Sequence, residues 1–95
     1  MRIRLLLADD QRLLLDGLRM ILEPEFEVVG LVQDGQSLLT AAAKLKPDMI
    51  LLEIAMPALN GIDAARQLRT IVPASKLIFL TIHGDPDYVR EAFRT

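Results

Sequence analysis

Short, uninterrupted apolar runs separated by helix-like segments constrain the fold of this chain more than any other feature. Three runs are apolar at consecutive positions: Ile3–Ala8 apart from Arg4, Met49–Leu52, and Leu77–Ile82 apart from Thr81. Consecutive rather than alternating apolar residues are typical of strands that are covered on both faces. A fourth run, Phe26–Val32, is less apolar, and we therefore place it nearer an edge of the sheet.

Apolar residues at helical spacing fill the segments between these runs. We predict helices over Gln11–Leu22, Ser37–Lys46 and Ile62–Ile71, and a fourth that opens at Asp85-Pro86. In the first of them the apolar residues at helical spacing are Leu13, Leu14, Leu18, Ile21 and Leu22. Strands that alternate with helices of about 10 residues predict right-handed crossovers and one parallel sheet with helices on both faces. The predicted fold class is therefore three-layer α/β.

Composition excludes several classes of protein. The 95 residues make one domain, and 11 basic against 13 acidic residues give a net charge of −2. That balance argues against direct nucleic acid binding by this chain. With no cysteine and only His83, disulfide scaffolds, cysteine-based zinc sites and multi-histidine metal sites are excluded. No apolar run approaches the roughly 20 residues of a membrane span, so we expect a cytoplasmic domain.

Polar residues gather where the predicted strands end. Asp9 and Asp10 follow the first strand, Glu53 follows the third and Thr81 closes the fourth. Ligands of open parallel sheets bind at the carboxyl ends of the strands, and oxygen ligands alone suit a hard cation such as Mg²⁺. The alternative is that the acidic residues only cap the helices that follow. The first strand–helix turn has no glycine, so it is not a nucleotide-binding loop.

Longer motifs resemble the receiver domain of bacterial two-component response regulators. The motifs are Leu5–Asp10, Leu51–Pro57, Asn60-Gly61 and Phe79–Thr81. The segments Asn60–Ala65 and Thr81–Asp85 look most like the NarL/FixJ subfamily, in which a receiver controls a LuxR-type helix-turn-helix. The resemblance covers all 95 residues. It implies a flavodoxin-like (CheY-like) sheet with strand order 2-1-3-4.

The resemblance also implies a role for each polar residue at the sheet edge. A sensor histidine kinase passes a phosphoryl group to the residue that ends the third strand, here Glu53, and Thr81 matches the switch hydroxyl. Mg²⁺ is implied between Asp9, Asp10, Glu53 and the backbone carbonyl of Ala55. Such a module serves transcription control and is not an enzyme. A metal-dependent hydrolase would need a nucleophile and a separate general acid–base, which the strand ends do not supply.

Glu53 departs from the family pattern, which has aspartate as the phosphoacceptor. Its carboxylate stands one methylene further out, and a displacement of about 1 Å can cost roughly 10²-fold in rate. We therefore expect little or no phosphorylation and weakened Mg²⁺ binding. Of the two consequences, a silent receiver is favoured over an imitation of the phosphorylated state, because a carboxylate has fewer acceptor oxygens than a phosphoryl group. The alternative function is a phosphorylation-independent pseudo-receiver that works by dimerising or docking.

The end of the sequence is a second departure from the family. The family continues into a fifth strand, a lysine that pairs with the phosphoryl group and a fifth helix, whereas this sequence ends at Thr95. Lys76 precedes the fourth strand and does not replace that lysine. We expect Leu77–Ile82 to form an uncovered edge that self-associates or exchanges elements with a second copy. No DNA-binding domain is expected within residues 1–95.

Overall fold

A computed structural model of the chain describes residues 2–54 and 61–80. The strands are β1 (Ile3–Ala8), β2 (Phe26–Val32), β3 (Met49–Glu53) and β4 (Lys76–Leu80), and the helices are α1 (Arg12–Leu22), α2 (Gly35–Leu45) and α3 (Gly61–Ile71). The bounds predicted for β1 and β2 are confirmed. Glu53 is the last residue of β3 rather than the residue after it, and Lys76 begins β4 rather than preceding it. The predicted fourth helix lies outside the described residues.

The sheet is parallel throughout and has the strand order β2-β1-β3-β4. This confirms the order implied by the resemblance and the position predicted for β2 at an edge. Among the described residues, β4 forms the other edge. Parallel neighbours require crossover connections, and the three described helices follow β1, β2 and β3 to provide them. No helix of the described segments has the length and apolar character needed to cross a membrane.

Alternation of side chains along the strands divides the core into two layers. Leu5 and Leu7 of β1 pack with Leu15 of α1 on one face. Leu6 of β1 belongs to the other layer, where the buried residues of α2 and α3 include Leu38 and Leu68. The prediction of helices on both faces is therefore confirmed, with α1 on one side of the sheet and α2 and α3 on the other.

The apolar residues of α1 do not all pack against the sheet. Leu15 and Leu22 pack in the same core layer as Leu5 and Leu7, whereas Leu13, Met20 and Ile21 are exposed. Leu13 and Ile21 share the helical spacing of the sequence pattern with Leu18 and Leu22, and the structure leaves these two residues exposed. A helix turns by about 100° per residue, so Leu13 lies almost opposite Leu15.

Both ends of α2 are defined by local backbone chemistry. The helix begins at Gly35, two residues before the predicted start at Ser37, because Asp34 caps it: its Oδ1 accepts the Ser37 N–H at 2.8 Å. The helix ends before Lys46, which adopts the left-handed conformation with φ 46° and ψ 62°. Pro47 follows and disfavours further helix.

β2 contains a bulge next to a closely packed glycine. The pairing register shifts between Leu5 and Leu6 of β1, which leaves Val29 of β2 as the extra residue. A Cβ atom on Gly30 would lie 3.0 Å from Leu6 Cδ1 and 3.3 Å from Leu45 Cδ1. Gly30 is therefore placed where the packing leaves little space for a side chain.

Candidate functional site

β1 delivers Asp9 to the carboxyl edge of the sheet. Asp9 directly follows the last residue of β1, and its backbone N–H donates to the Val32 carbonyl at 3.0 Å, which continues the pairing between β1 and β2. Its side chain is only 1% exposed. The strand pairing thus fixes a carboxylate in the interior of the sheet edge rather than on a solvated loop.

The two carboxylate oxygens of Asp9 have different surroundings. Oδ1 accepts the backbone N–H of Gln11 at 2.8 Å, an Asx-type turn that leads the chain into α1. Oδ2 is buried and has no hydrogen-bond partner among residues 2–54 and 61–80. An unpartnered buried carboxylate oxygen is costly, and a cation or a donor would relieve that cost. Sequence reasoning missed Gln11, although an Asp whose side chain can accept the backbone N–H two residues on is a known signal of such a turn.

β3 brings Glu53 to the same edge beside Asp9. Leu7 of β1 pairs with Leu51 of β3, so the same register continued by two residues places Asp9 next to Glu53. Neighbouring strands lie about 4.8 Å apart. Because side chains alternate, Asp9 and Glu53 also share a face with Leu7 and Leu51, the face that α1 covers. Glu53 is 4% exposed, so two buried carboxyl groups adjoin at this point.

The electrostatics of this pair are unfavourable in the absence of a positive charge. Burial raises the pKa of the Asp9 carboxyl above its ordinary value, and the Gln11 N–H opposes that rise. The adjacent carboxyl groups of Asp10 and Glu53 raise the pKa of Asp9 further. Like charges held together in this way favour binding of a cation.

The donor set fits a hard divalent cation such as Mg²⁺. It consists of oxygen atoms only, and one of them, Asp9 Oδ2, is buried without a partner among the described residues. Asp10 is exposed at the solvent side of the site. In the part of the chain that the structure describes, no three acidic, histidine or cysteine side chains are grouped closely enough to hold a metal ion. The predicted ligand Ala55 and the predicted switch residue Thr81 lie outside the described residues.

Comparison with known proteins agrees with this architecture. Residues 5–95 match the model of the response regulator receiver domain family. The chain is 40% identical over 96 aligned residues to the transcriptional regulatory protein DegU of Brevibacillus brevis, covering 99% of this chain and 41% of that protein. It is 38% identical over 89 residues to the transcriptional regulatory protein LiaR of Bacillus subtilis, covering 92% of this chain and 42% of that protein.

A solved receiver domain has the same fold. The signal receiver domain assigned to the response regulator NarL of Mycobacterium tuberculosis matches with a TM-score of 0.91 at 26% identity, covering 98% of this chain and 77% of that one. The sequence-based resemblance to NarL-type receivers is therefore confirmed. The chain spans about two fifths of the length of the curated relatives DegU and LiaR. On the fold, the acidic strand ends and these matches, the chain belongs to the response regulator receiver domain family.

Proposed function

We propose that this chain acts as the receiver of a two-component response regulator that controls transcription. Support comes from the match of residues 5–95 to the receiver family and from relatives that are named transcriptional regulatory proteins. In this proposal the chain is cytoplasmic, a sensor histidine kinase is its upstream partner and a DNA-binding output domain is the downstream element. The chain itself, with a net charge of −2, makes no direct contact with DNA.

In this proposal Mg²⁺ is held by the side chains of Asp9, Asp10 and Glu53 together with the carbonyl of Ala55, and binding has to draw together the three carboxylates, which are not grouped closely enough in this structure. The Gln11 N–H occupies Asp9 Oδ1, so Asp9 Oδ2 is the oxygen left for the cation. When bound, the cation supplies neutralisation of negative charge on phosphoryl oxygens. The chain's own contribution is to hold the carboxylates in place by strand pairing and by the Asp9–Gln11 turn.

One observation carries the finer proposal: the buried residue that ends β3 beside Asp9 is Glu53. This is the position at which the receiver pattern has its phosphoacceptor aspartate. The additional methylene displaces the nucleophilic oxygen, and a displacement of about 1 Å can slow an in-line transfer by roughly 10²-fold. We therefore propose that Glu53 makes the receiver silent toward phosphodonors, and that Thr81, the proposed switch hydroxyl, receives no phosphoryl group to bind.

The test compares Glu53→Asp with the unchanged protein in the presence of Mg²⁺ and acetyl phosphate. In the variant, a carboxylate oxygen of the new aspartate attacks phosphorus, the bond from phosphorus to the acetate oxygen breaks and acetate leaves. We expect an acid-labile adduct on Glu53→Asp, detected by intact mass, and little or none on the unchanged protein. Glu27→Asp is the matched control, since it removes one methylene from an exposed glutamate of β2 and should leave the protein unmodified.

A phosphorylation-independent interaction module is the second candidate function. The low exposure of Glu53, 4%, favours it, because a phosphodonor must reach that carboxylate. If Glu53→Asp unfolds cooperatively, binds Mg²⁺ and still forms no adduct, the interaction role replaces the silent receiver. An adduct that forms on the unchanged protein as fast as on Glu53→Asp would contradict both.

A further inference from the structure

A cavity opens at the amino-terminal edge of the sheet, at the opposite end of the strands from Asp9 and Glu53. It lies between the loop that joins α2 to β3 and the loop that joins α3 to β4, and its volume is about 450 Å³. Residues 46–48 and 71–75 line it. Ligand pockets usually have volumes of about 300–1,000 Å³. The cavity is therefore large enough to receive a ligand or the side chains of a partner.

The two loops that form the cavity are tied to each other. The Ser75 hydroxyl donates to the Pro47 carbonyl at 2.5 Å, and the Lys76 backbone N–H donates to the Asp48 carbonyl at 2.9 Å. Pro47 and Pro73 fix the backbone φ angle of one position in each loop. The cavity is therefore pre-formed, and a ligand binds without having to order the loops.

One wall of the cavity is apolar and partly open to solvent. Ile71, the last residue of α3, is 40% exposed, and Pro73 and Ala74 beside it are exposed as well. Val72 between them is buried against the core. Exposed apolar residues that occur singly are ordinary, whereas a contiguous group of them indicates an interaction site. We name Ile71, Pro73 and Ala74 the apolar wall.

Three cations lie around the apolar wall. Lys46 lines the cavity, Lys76 begins β4 next to it, and Arg69 lines the adjoining groove between α3 and β4. Within residues 2–54 and 61–80, none of these three side chains forms an ion pair. Among the described lining residues only Asp48 is acidic, and its Oδ2 accepts the backbone N–H of Arg4 at 2.9 Å. The mouth of the cavity therefore carries an excess of positive charge.

The backbone of Lys46 is a second, independent sign of function. Among the described residues, Lys46 alone has a positive φ, 46°, without being glycine. Glycine or asparagine is usual at this position after a helix, because a Cβ atom disfavours the left-handed conformation. The helix dipole does not explain the lysine, since Lys44 already supplies a base in the last turn of α2. Residues in disfavoured conformations concentrate at functional sites, so the side chain of Lys46 has a role outside the helix.

We propose that this cavity docks an acidic peptide segment of a partner protein. A bulky apolar side chain of the segment packs on the apolar wall, and its carboxylates pair with Lys46, Lys76 and Arg69. The excess of positive charge selects an acidic partner, and the apolar wall selects a peptide over a purely ionic ligand. Because the cavity and Glu53 lie at opposite ends of the strands, the inference is independent of phosphorylation.

Nucleic acid is a less suitable partner for this cavity. Proteins that bind nucleic acid contact many phosphates with cations spread along a surface, whereas here three cations surround one cavity. The net charge of −2 also makes the chain as a whole repel a polyanion at long range. A short acidic peptide with an apolar anchor fits both the charge and the shape of the site.

The first test selects ligands for the 95-residue chain from a phage-displayed library of random dodecapeptides. We expect the enriched peptides to carry a net negative charge and at least one bulky apolar side chain. They should not be enriched on Lys46→Glu, and a short DNA duplex added as a competitor should not displace them. Four results would each overturn the proposal: no enrichment, enrichment without an acidic bias, equal enrichment on Lys46→Glu, or displacement by the DNA.

The second test separates peptide binding from stability at Lys46. Lys46→Gly removes the disfavoured conformation and should raise the Tm, whereas the Kd of a selected peptide should rise by about tenfold because the ammonium group is lost. Lys46→Arg keeps the positive charge and should keep the affinity. Fluorescence anisotropy with the labelled peptide gives the Kd of each protein.

Lys44→Ala is the matched control for this test. It removes an exposed lysine that lies two residues earlier and does not line the cavity, so it should change the Kd little. An unchanged Kd in Lys46→Gly would contradict the proposal. An equal loss of affinity in Lys44→Ala would also contradict it, because the attraction would then come from the general charge of this edge and not from the cavity.

Discussion

Asp9 and Glu53 lie side by side at the carboxyl ends of β1 and β3, in continuation of the Leu7–Leu51 pairing. Both are buried, and Asp9 Oδ2 has no hydrogen-bond partner among the described residues. Two adjoining buried carboxyl groups destabilise a fold unless a cation or a proton compensates them. Such an arrangement is typical of functional sites.

The stability of the chain without metal should depend on the ionisation of Asp9. Its pKa is raised above the ordinary 3.8, so the folded state holds this proton more tightly than the unfolded state does. The stabilisation from the protonated form is complete below about pH 3.8 and is lost as the pH rises through the higher folded pKa. Asp9→Asn should therefore stabilise the chain at pH 7, by on the order of 1–3 kcal/mol.

The measurement is urea unfolding of both proteins from pH 4 to pH 8 in the presence of a chelator. The gain from Asp9→Asn should shrink as the pH falls, because Asp9 itself becomes protonated. A gain that is independent of pH, or a loss of stability at pH 7, would contradict the account of this carboxyl group.

Mg²⁺ should stabilise the unchanged chain through the same residue. A ligand at ten times its dissociation constant adds about 1.4 kcal/mol to the free energy of unfolding. We expect Mg²⁺ to raise the Tm of the unchanged chain and of Glu27→Gln, an exposed control on β2, and to have little effect on Asp9→Asn. Equal increases in Tm in all three proteins would show that Mg²⁺ binds at a site that does not include Asp9.

Lys46→Gly should stabilise the chain. Lys46 holds the left-handed conformation at the end of α2, which costs an ordinary residue about 1 kcal/mol and costs glycine almost nothing. The hydrogen bonds from Arg4 to the carbonyls of Leu45 and Lys46 involve the backbone and survive the change. Lys44→Gly, two residues earlier and within the helix, is the control and should destabilise by a similar amount. In thermal unfolding, Lys46→Gly should have a higher Tm than the unchanged chain and Lys44→Gly a lower one.

Two glycine-to-alanine substitutions should also have opposite effects. Gly30→Ala would place its Cβ 3.0 Å from Leu6 Cδ1 in the core and should destabilise by about 1–3 kcal/mol. Gly17→Ala meets no atom within 4 Å and should stabilise α1 by up to about 1 kcal/mol. Denaturant unfolding, at a protein concentration where the chain is monomeric, gives the change in the free energy of unfolding for each variant. Destabilisation by Gly17→Ala would contradict the description of its surroundings.

Much of the fold could be predicted because the strands have a distinctive apolar sequence pattern. The consecutive apolar residues of β1 and β3 identify strands covered on both faces, and the parallel sheet then places the residues at their ends along one edge. The positions of Asp9 and Glu53 at one edge of the sheet could be predicted in this way from the sequence alone. The strand order came from the resemblance to receivers, because periodicity does not distinguish one parallel order from another.

Other features could not be predicted from periodicity. Leu13 and Leu15 lie on nearly opposite faces of α1, so the sequence pattern allows either face to pack against the sheet. The observed packing of Leu15 identifies the buried face. The predicted start of α2 at Ser37 leaves out Gly35 and Gln36, although Asp34 is a recognisable cap. Local hydrogen bonds such as the Asp9–Gln11 turn depend on backbone geometry that spacing does not encode.

The most direct test of the central claim is the rate at which acetyl phosphate modifies Glu53→Asp relative to the unchanged protein in the same Mg²⁺ buffer. A time course of intact mass gives both rates. If Glu53 is what silences this receiver, Glu53→Asp should react at least about 10²-fold faster, and its adduct should be lost in acid. Equal rates in the two proteins would contradict the claim.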